Sequence, residues 1–143
     1  MAERPLVYFL CTGNACRSQM AEGWARQLLP PPWQAASAGV EPTRLDERAV
    51  AAMAEVGVDI SAQAAKAIDP ALLRSAHLVI TLCADADLRC PVLPAQVARR
   101  HWPLPDPAQA TGSASEVQAV FRQVRDALRE RIVALAQELP HFS

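Results

Sequence analysis

The side chains best suited to chemistry cluster near the start of the chain, at Cys11-Thr12-Gly13-Asn14-Ala15-Cys16-Arg17-Ser18, where an apolar run, Leu6 to Leu10, gives way to a helical pattern. A thiol, a set of loop amides able to turn inward and a fixed guanidinium make a socket for a tetrahedral oxyanion with a nucleophile at its base. Only a thiolate attacks, and a helix N-terminus beside an arginine favours that form. Arg17 presents a planar fork that meets two oxygens at once, which a lysine cannot do. Ser18 can donate to the sulfur. Gly13 and Asn14 tolerate the left-handed backbone that a loop wrapped around an anion requires. The bland alternative is a buried core thiol before an ordinary turn, but strand, glycine and helix in this order favour the socket. Cys11 is the candidate nucleophile, and Thr12, Gly13, Asn14, Ala15, Cys16, Arg17 and Ser18 are the candidate oxyanion-binding residues.

Two more thiols, Cys83 and Cys90, flank a charged segment directly after a second apolar run. Their spacing is too wide for a redox Cys-x-x-Cys turn, yet a flexible loop could join them. A disulfide needs Cα atoms about 4.4–6.8 Å apart, whereas seven helical steps of ~1.5 Å separate them by about 10 Å. Pairing these sulfurs therefore requires the segment to unfold locally. Two other readings stay open: a strand-end core residue beside a loop thiol, and a metal site shared with Cys11 and Cys16. Zinc pairs usually enclose about two to four residues, so no metal is expected. Asp106, between Pro105 and Pro107, is a short carboxylate on a stiff loop. It could protonate a leaving oxygen at the thiolate site or simply open a turn.

The elements that must position these groups can be read from periodicity. Leu6 to Leu10 is a short continuous apolar strand of the kind buried on both faces, and Ser18 to Leu29 continues with helical spacing until Pro30-Pro31-Pro32. Trp33 to Ala38 with Gly39 suggests a second strand and turn, Asp46 to Val56 a helix ending at Gly57, and a further short helix starts near Pro70. His77 to Leu82 is the next strand and ends in Cys83, as the first ends in Cys11. Asp85 to Cys90 forms a short polar helix or loop, and Val97 to Trp102 feeds a fourth strand. Ser113-Ala114-Ser115-Glu116 resembles a capping box opening a long helix through about Leu139, with Val117, Val120, Phe121, Val124, Leu128, Ile132 and Leu135 on its apolar face. Strands alternating with helices predict an α/β fold: a doubly wound parallel sheet whose ligands bind beyond the carboxyl ends of the strands. Cys11 and Cys83 both fall there.

The chain has 143 residues, enough for one compact domain spanning 1–143. With 14 basic and 15 acidic side chains its net charge is −1, which leaves no electrostatic footprint for nucleic acid or an acidic membrane. No apolar run approaches the roughly 18 residues that cross a bilayer, and Met1-Ala2-Glu3-Arg4-Pro5 lacks the apolar segment of a signal peptide. The chain is expected to be cytoplasmic. In a reducing compartment four cysteines point to catalysis, redox work or metal binding rather than to structural disulfides.

The segment from Cys11 to Gly23, together with Ser37-Ala38-Gly39, Val79-Ile80-Thr81-Leu82-Cys83, Cys90-Pro91 and Asp106-Pro107, resembles the thioredoxin-coupled arsenate reductases. Those enzymes share the fold of the low-molecular-weight protein tyrosine phosphatases, a four-stranded parallel sheet flanked by helices. The resemblance implies a three-thiol relay. Cys11 attacks arsenate, Arg17 and the loop amides hold its oxygens, and Asp106 protonates the departing hydroxide. Cys83 then attacks the Cys11–arsenic adduct, arsenite leaves, and Cys90 resolves the Cys11–Cys83 disulfide. Thioredoxin is the implied electron donor, arsenate the substrate and other tetrahedral oxyanions the competitors, with no bound organic cofactor and a monomeric protein. Cys16 has no step in the relay and is expected to fill space or tune the loop. A phosphatase of this fold, the alternative, needs Cys11, Arg17 and Asp106 but not the second thiol pair.

The chain departs from these patterns in two places. Some arsenate reductases bind potassium through residues matching Asn14, Glu22 and Ser37 with an aspartate, where this chain has Lys66; its ammonium is expected to replace the ion beside Glu22. Asp106-Pro107 is followed by Ala108-Gln109, where the phosphatases place aromatic rings that sandwich phosphotyrosine. A small inorganic anion needs no such wall.

Overall fold

In the computed structural model, which describes residues 5–139, β1 (Leu6–Cys11) is buried along its whole length. That is the condition of a parallel strand covered on both faces. The strand runs one residue past the apolar run, so the Cys11 backbone still belongs to the sheet. Then come α1 (Arg17–Leu28), β2 (Gln34–Gly39), α2 (Glu47–Ala54), α3 (Pro70–Ser75), β3 (Leu78–Thr81), α4 (Ala84–Arg89), β4 (Ala98–His101) and α5 (Ala114–Glu138). The four strands are parallel in the order β2-β1-β3-β4.

This order positions the thiols. The chain steps from β1 out to β2 and then returns across β1 to reach β3, so the connections diverge beside the carboxyl end of β1, the place where open α/β sheets bind ligands. Leu10 and Thr81 are register partners, and the Leu82 N–H donates to the Leu10 carbonyl at 2.9 Å. Cys83 therefore leaves β3 alongside the residues that follow β1.

The helices begin where local chemistry satisfies their free amides. Asp46 and Asp69 cap α2 and α3, while Ser113 and Glu116 form a reciprocal capping box on α5. Helix α5 buries Val117, Phe121, Val124, Leu128, Ile132 and Leu135; Val120, expected on the same face, is half-buried at its margin. The Trp24 indole N–H donates to the Arg125 carbonyl at 2.9 Å and ties α1 to α5. Arg122 and Arg125 both grip Glu55 at the end of α2 and hold its carboxyl down at about 2. Because that value lies below the ordinary one, this tie is complete at neutral pH and is lost as pH falls toward 2.

Strand β4 is shorter than the run from Val97 to Trp102, and all four of its residues are exposed. It is one of the sheet's two outer strands, and charged side chains such as Arg99 and Arg100 discourage further pairing there. Val97 and Trp102, just outside it, are the buried anchors, and Trp102 sits 6.3 Å from the Phe9 ring. Among the described residues no helix is long and apolar enough to cross a membrane.

Candidate active site

Between β1 and α1 the backbone carbonyls are all engaged away from the loop's centre. Those of Cys11, Thr12, Gly13 and Ala15 accept from the N–H groups of Val40, Glu41, Thr43 and Asp46 at 2.8–3.1 Å, and that of Asn14 accepts from Gln19 Nε2 at 3.0 Å. With the carbonyls outward, the loop amides face inward and form a nest for an anion. Cys16, at the N-cap of α1, supplies no side-chain cap among the described residues. The helix amides are thus left to the same concavity.

Asn14 organises this loop. It is fully buried and adopts a positive φ of 51°, which asparagine tolerates better than most residues. The Lys66 backbone N–H donates to its Oδ1 at 3.0 Å and so fixes the amide's orientation. Its Nδ2 donates to Ser18 Oγ at 2.7 Å and to Ser37 Oγ at 3.0 Å. Ser18 therefore already accepts a bond, and its own proton is free for Cys11 Sγ at 2.8 Å; the Asn14 N–H reaches the same sulfur at 3.2 Å. Two donors on one buried sulfur are the solvation that a thiolate requires.

Arg17 is nine-tenths buried, anchored by Nη1 on the Leu104 carbonyl at 3.1 Å, with Nη2 3.7 Å from Asp106 Oδ2. Asp106 caps the 3₁₀ turn Pro107–Gln109 through Ala108 N–H and keeps its other oxygen toward Arg17. Cys11 and Ser18 thus meet within the loop, and Arg17, at the start of α1, pairs with Asp106. Cys16 is also in the loop, but its thiol is pushed well up, first by burial and then by the Asp46 and Asp106 carboxylates. It stays protonated and offers no second nucleophile.

Cys83 lies beside this concavity. Its sulfur is 3.3 Å from the Thr12 hydroxyl and accepts the Ala86 N–H at 3.4 Å as the N-cap of α4. Cys90 is the C-cap of the same helix, so α4 holds the two thiols at opposite ends. Burial raises the Cys90 thiol, partly opposed by Arg99. Among the described residues of α4, Ala86 alone is buried, and Leu88 is 84% exposed. The helix is held mainly by polar ties. On one side Asp87 accepts from Arg99 and Thr81, each at 2.9 Å; on the other, Arg89 pairs with Glu41 and Asp85. A six-residue helix with little apolar burial has a small barrier to unwinding.

The residues matching the potassium site of some relatives meet beside the loop. Ser37 donates to Glu22 Oε1 at 2.7 Å, and the buried Glu22 is also paired with Arg26 and lies 3.7 Å from Lys66 Nζ. With two cations already on this carboxylate, exchanging sodium for potassium is expected to leave turnover and Tm unchanged; a rise of either in potassium contradicts this. Among the described residues no group of three His, Cys, Asp or Glu side chains converges as a metal-ligand set. Beside the loop lies an open cleft of about 640 Å³ whose lining, from Ala15 and Thr43 to Arg48 and Ala108, includes no aromatic ring among the described residues.

The sequence matches the low molecular weight phosphotyrosine protein phosphatase family over residues 6–141. The chain belongs to that family. Within it, the chain is 50% identical to the arsenate reductase of Bacillus subtilis (strain 168) over 135 residues, covering 94% of this chain and 97% of that protein. A solved arsenate reductase in the phosphate binding state superposes with a TM-score of 0.78 at 34% identity, covering 95% of this chain and 99% of that one. The Corynebacterium glutamicum thioredoxin-dependent arsenate reductase shares the fold, with a TM-score of 0.73 at 24% identity over 96% of this chain and 65% of that chain.

Proposed function

We propose that this protein reduces arsenate to arsenite through Cys11, Cys83 and Cys90, with a thioredoxin dithiol as the final donor. The observation that carries the reading is Cys83, 3.3 Å from the hydroxyl of the residue next to Cys11. Phosphate-ester hydrolysis has no step for a second sulfur there; in a phosphatase the extra thiols would serve only to protect Cys11 from oxidation. The Bacillus subtilis relative's activity and the Corynebacterium glutamicum enzyme's dependence on thioredoxin support the same choice.

The chemistry follows from the groups in place. Arsenate enters the nest with its oxygens on the loop amides and Arg17. The Cys11 thiolate displaces one oxygen, which leaves as water with a proton from Asp106. Cys83 then attacks the Cys11 sulfur. The sulfur–arsenic bond breaks with its electron pair on arsenic, which departs as arsenite, and a Cys11–Cys83 disulfide remains. Unwinding of α4 frees Cys90 from the burial that raises its thiol and lets it reach Cys83, regenerating Cys11. The Cys83–Cys90 disulfide is then open to reduction.

The test is NADPH oxidation in the presence of thioredoxin and thioredoxin reductase. Consumption that depends on both arsenate and this protein is the expected result. Brisk aryl-phosphate hydrolysis without reductant and with no arsenate-dependent NADPH loss would instead establish the phosphatase.

A further inference from the structure

The hydrogen bonds around Thr12 have a direction. Its hydroxyl lies 2.9 Å from Asp85 Oδ2 and 3.3 Å from Cys83 Sγ. A hydroxyl owns one proton, and an ionised carboxylate can only accept. Thr12 therefore donates to Asp85 and is left with lone pairs toward Cys83, so the sulfur is the donor in the longer contact. The chain of bonds runs from the Cys83 S–H to the Thr12 oxygen, and from the Thr12 O–H to the Asp85 carboxylate. Cys83 is 8% exposed, so bulk water has little access to its proton.

We propose that Asp85, acting through the Thr12 hydroxyl, takes the Cys83 proton when Cys83 attacks the Cys11–arsenic adduct. This rests on the reductase reading. In the step, the Cys83 proton passes to Thr12 Oγ while the Thr12 proton passes to Asp85 Oδ2. The sulfur's freed electron pair forms the bond to Cys11, and the sulfur–arsenic pair leaves on arsenic. No other reactant is needed. Asp85 is a positioning residue that holds the proton; of the two, Thr12 is the one that touches the reacting sulfur.

The charges facing Asp85 suit this task. Arg89, one turn along α4, lies 3.3 Å from the same carboxylate oxygen, but is itself shared with Glu41 from the segment after β2 at 2.8 Å. Cys11, at the end of β1, directly precedes Thr12. Asp87 is turned to the other side of α4, toward Thr81, Arg99 and His101. Protonating Asp85 also removes its ion pair with Arg89, one of the polar ties on α4. The proton transfer that arms Cys83 thereby loosens the helix that must unwind next.

The experiment uses the full chain carrying Cys90→Ser, in which the relay stops at Cys11–Cys83. It receives one equivalent of arsenate and is quenched rapidly from about pH 6 to pH 9, with arsenite and the disulfide quantified. Adding Asp85→Asn keeps an acceptor for Thr12 but removes the base. Conversion of adduct to disulfide is expected to slow on the order of 10²-fold at neutral pH and to climb about tenfold per pH unit as hydroxide takes over, against a flat profile in the parent. Thr12→Val should reproduce the defect and Thr12→Ser should repair it. An Asp85→Asn rate and pH profile equal to the parent's overturns the proposal, as does a Thr12→Ser protein as slow as Thr12→Val. A parent that releases no arsenite overturns the reductase reading, and the proposal with it; arsenite release with Asp85→Asn unaffected removes the proton path alone.

Discussion

Arsenite formation by Cys11→Ser is expected to fall by about 10⁴-fold or more, because the hydroxyl that replaces the thiolate is a far weaker nucleophile. The other two thiols should fail in different ways. Cys83→Ser leaves nothing beside Thr12 to attack the adduct and should stop with arsenic on Cys11 and no arsenite released. Cys90→Ser should release one arsenite per chain and stop with Cys11 joined to Cys83. Mass mapping of alkylated thiols after one equivalent of arsenate distinguishes the three, since each species has its own pattern of blocked sulfurs. Full turnover by either Cys83→Ser or Cys90→Ser would break the assigned order. Cys16→Ser, by contrast, removes a thiol that burial and two carboxylates hold protonated, so the sulfur count of the relay should not change.

The order of these steps is set by geometry more than by thiol reactivity. Cys83 is already next to the anion loop, while Cys90 waits at the far end of α4. A relay with both sulfurs beside Cys11 at the outset could be closed prematurely by either. Here Cys90 becomes competent only through unwinding. The helix suits this role: its one buried side chain is a methyl group, Ala86, and its polar ties lie at the surface.

Much of the active-site frame was legible from residue types that act within a few positions of one another. Leu6 to Leu10 reads as a doubly covered strand because its apolar residues are consecutive. Asn14 reads as left-handed because of backbone tolerance, whereas Gly13, expected to share that conformation, has no positive φ and instead sits close to the Thr43 side chain; Ser113 with Glu116 reads as a cap because the two close on each other. What was not legible depends on segments far apart in sequence. The outward carbonyls of the anion loop are held by residues 40–46, and Asn14 is oriented by the Lys66 backbone. Neither backbone partner leaves a trace in side-chain identity. The contact between Thr12 and Cys83 likewise follows from the pairing of β1 with β3, which spacing along the chain does not encode. Val97 and Trp102 illustrate a smaller difference. Their apolar character marked the ends of a strand, but they serve as anchors just outside it, because the ladder with β3 spans only Ala98 to His101.

Gly39→Ala is expected to be the most damaging substitution outside the reacting residues. A Cβ at Gly39 would lie 2.6 Å from the Thr12 carbonyl oxygen, 2.8 Å from the Asn14 nitrogen and 2.9 Å from the Gly13 carbonyl carbon. All three are backbone atoms of the anion loop, so no side chain can swing away to relieve the clash. Either β2 moves back, breaking the bond from Gly39 N–H to the Lys66 carbonyl at 2.9 Å, or the loop shifts and its inward amides lose their aim. Overpacking of this kind costs about 1–3 kcal/mol, which for a chain of this size lowers Tm by roughly 3–10 °C. Affinity for phosphate or arsenate, measured by calorimetry, should fall at least about tenfold, since several amides must point at one anion together. Gly57→Ala is the control. Gly57 has a φ of +80° with nothing within 4 Å of the added carbon, so alanine there strains the backbone without touching the nest. It should lower Tm and leave anion affinity unchanged. If Gly39→Ala binds the anion as tightly as Gly57→Ala does, the close approach of β2 to the loop is not what keeps the nest formed.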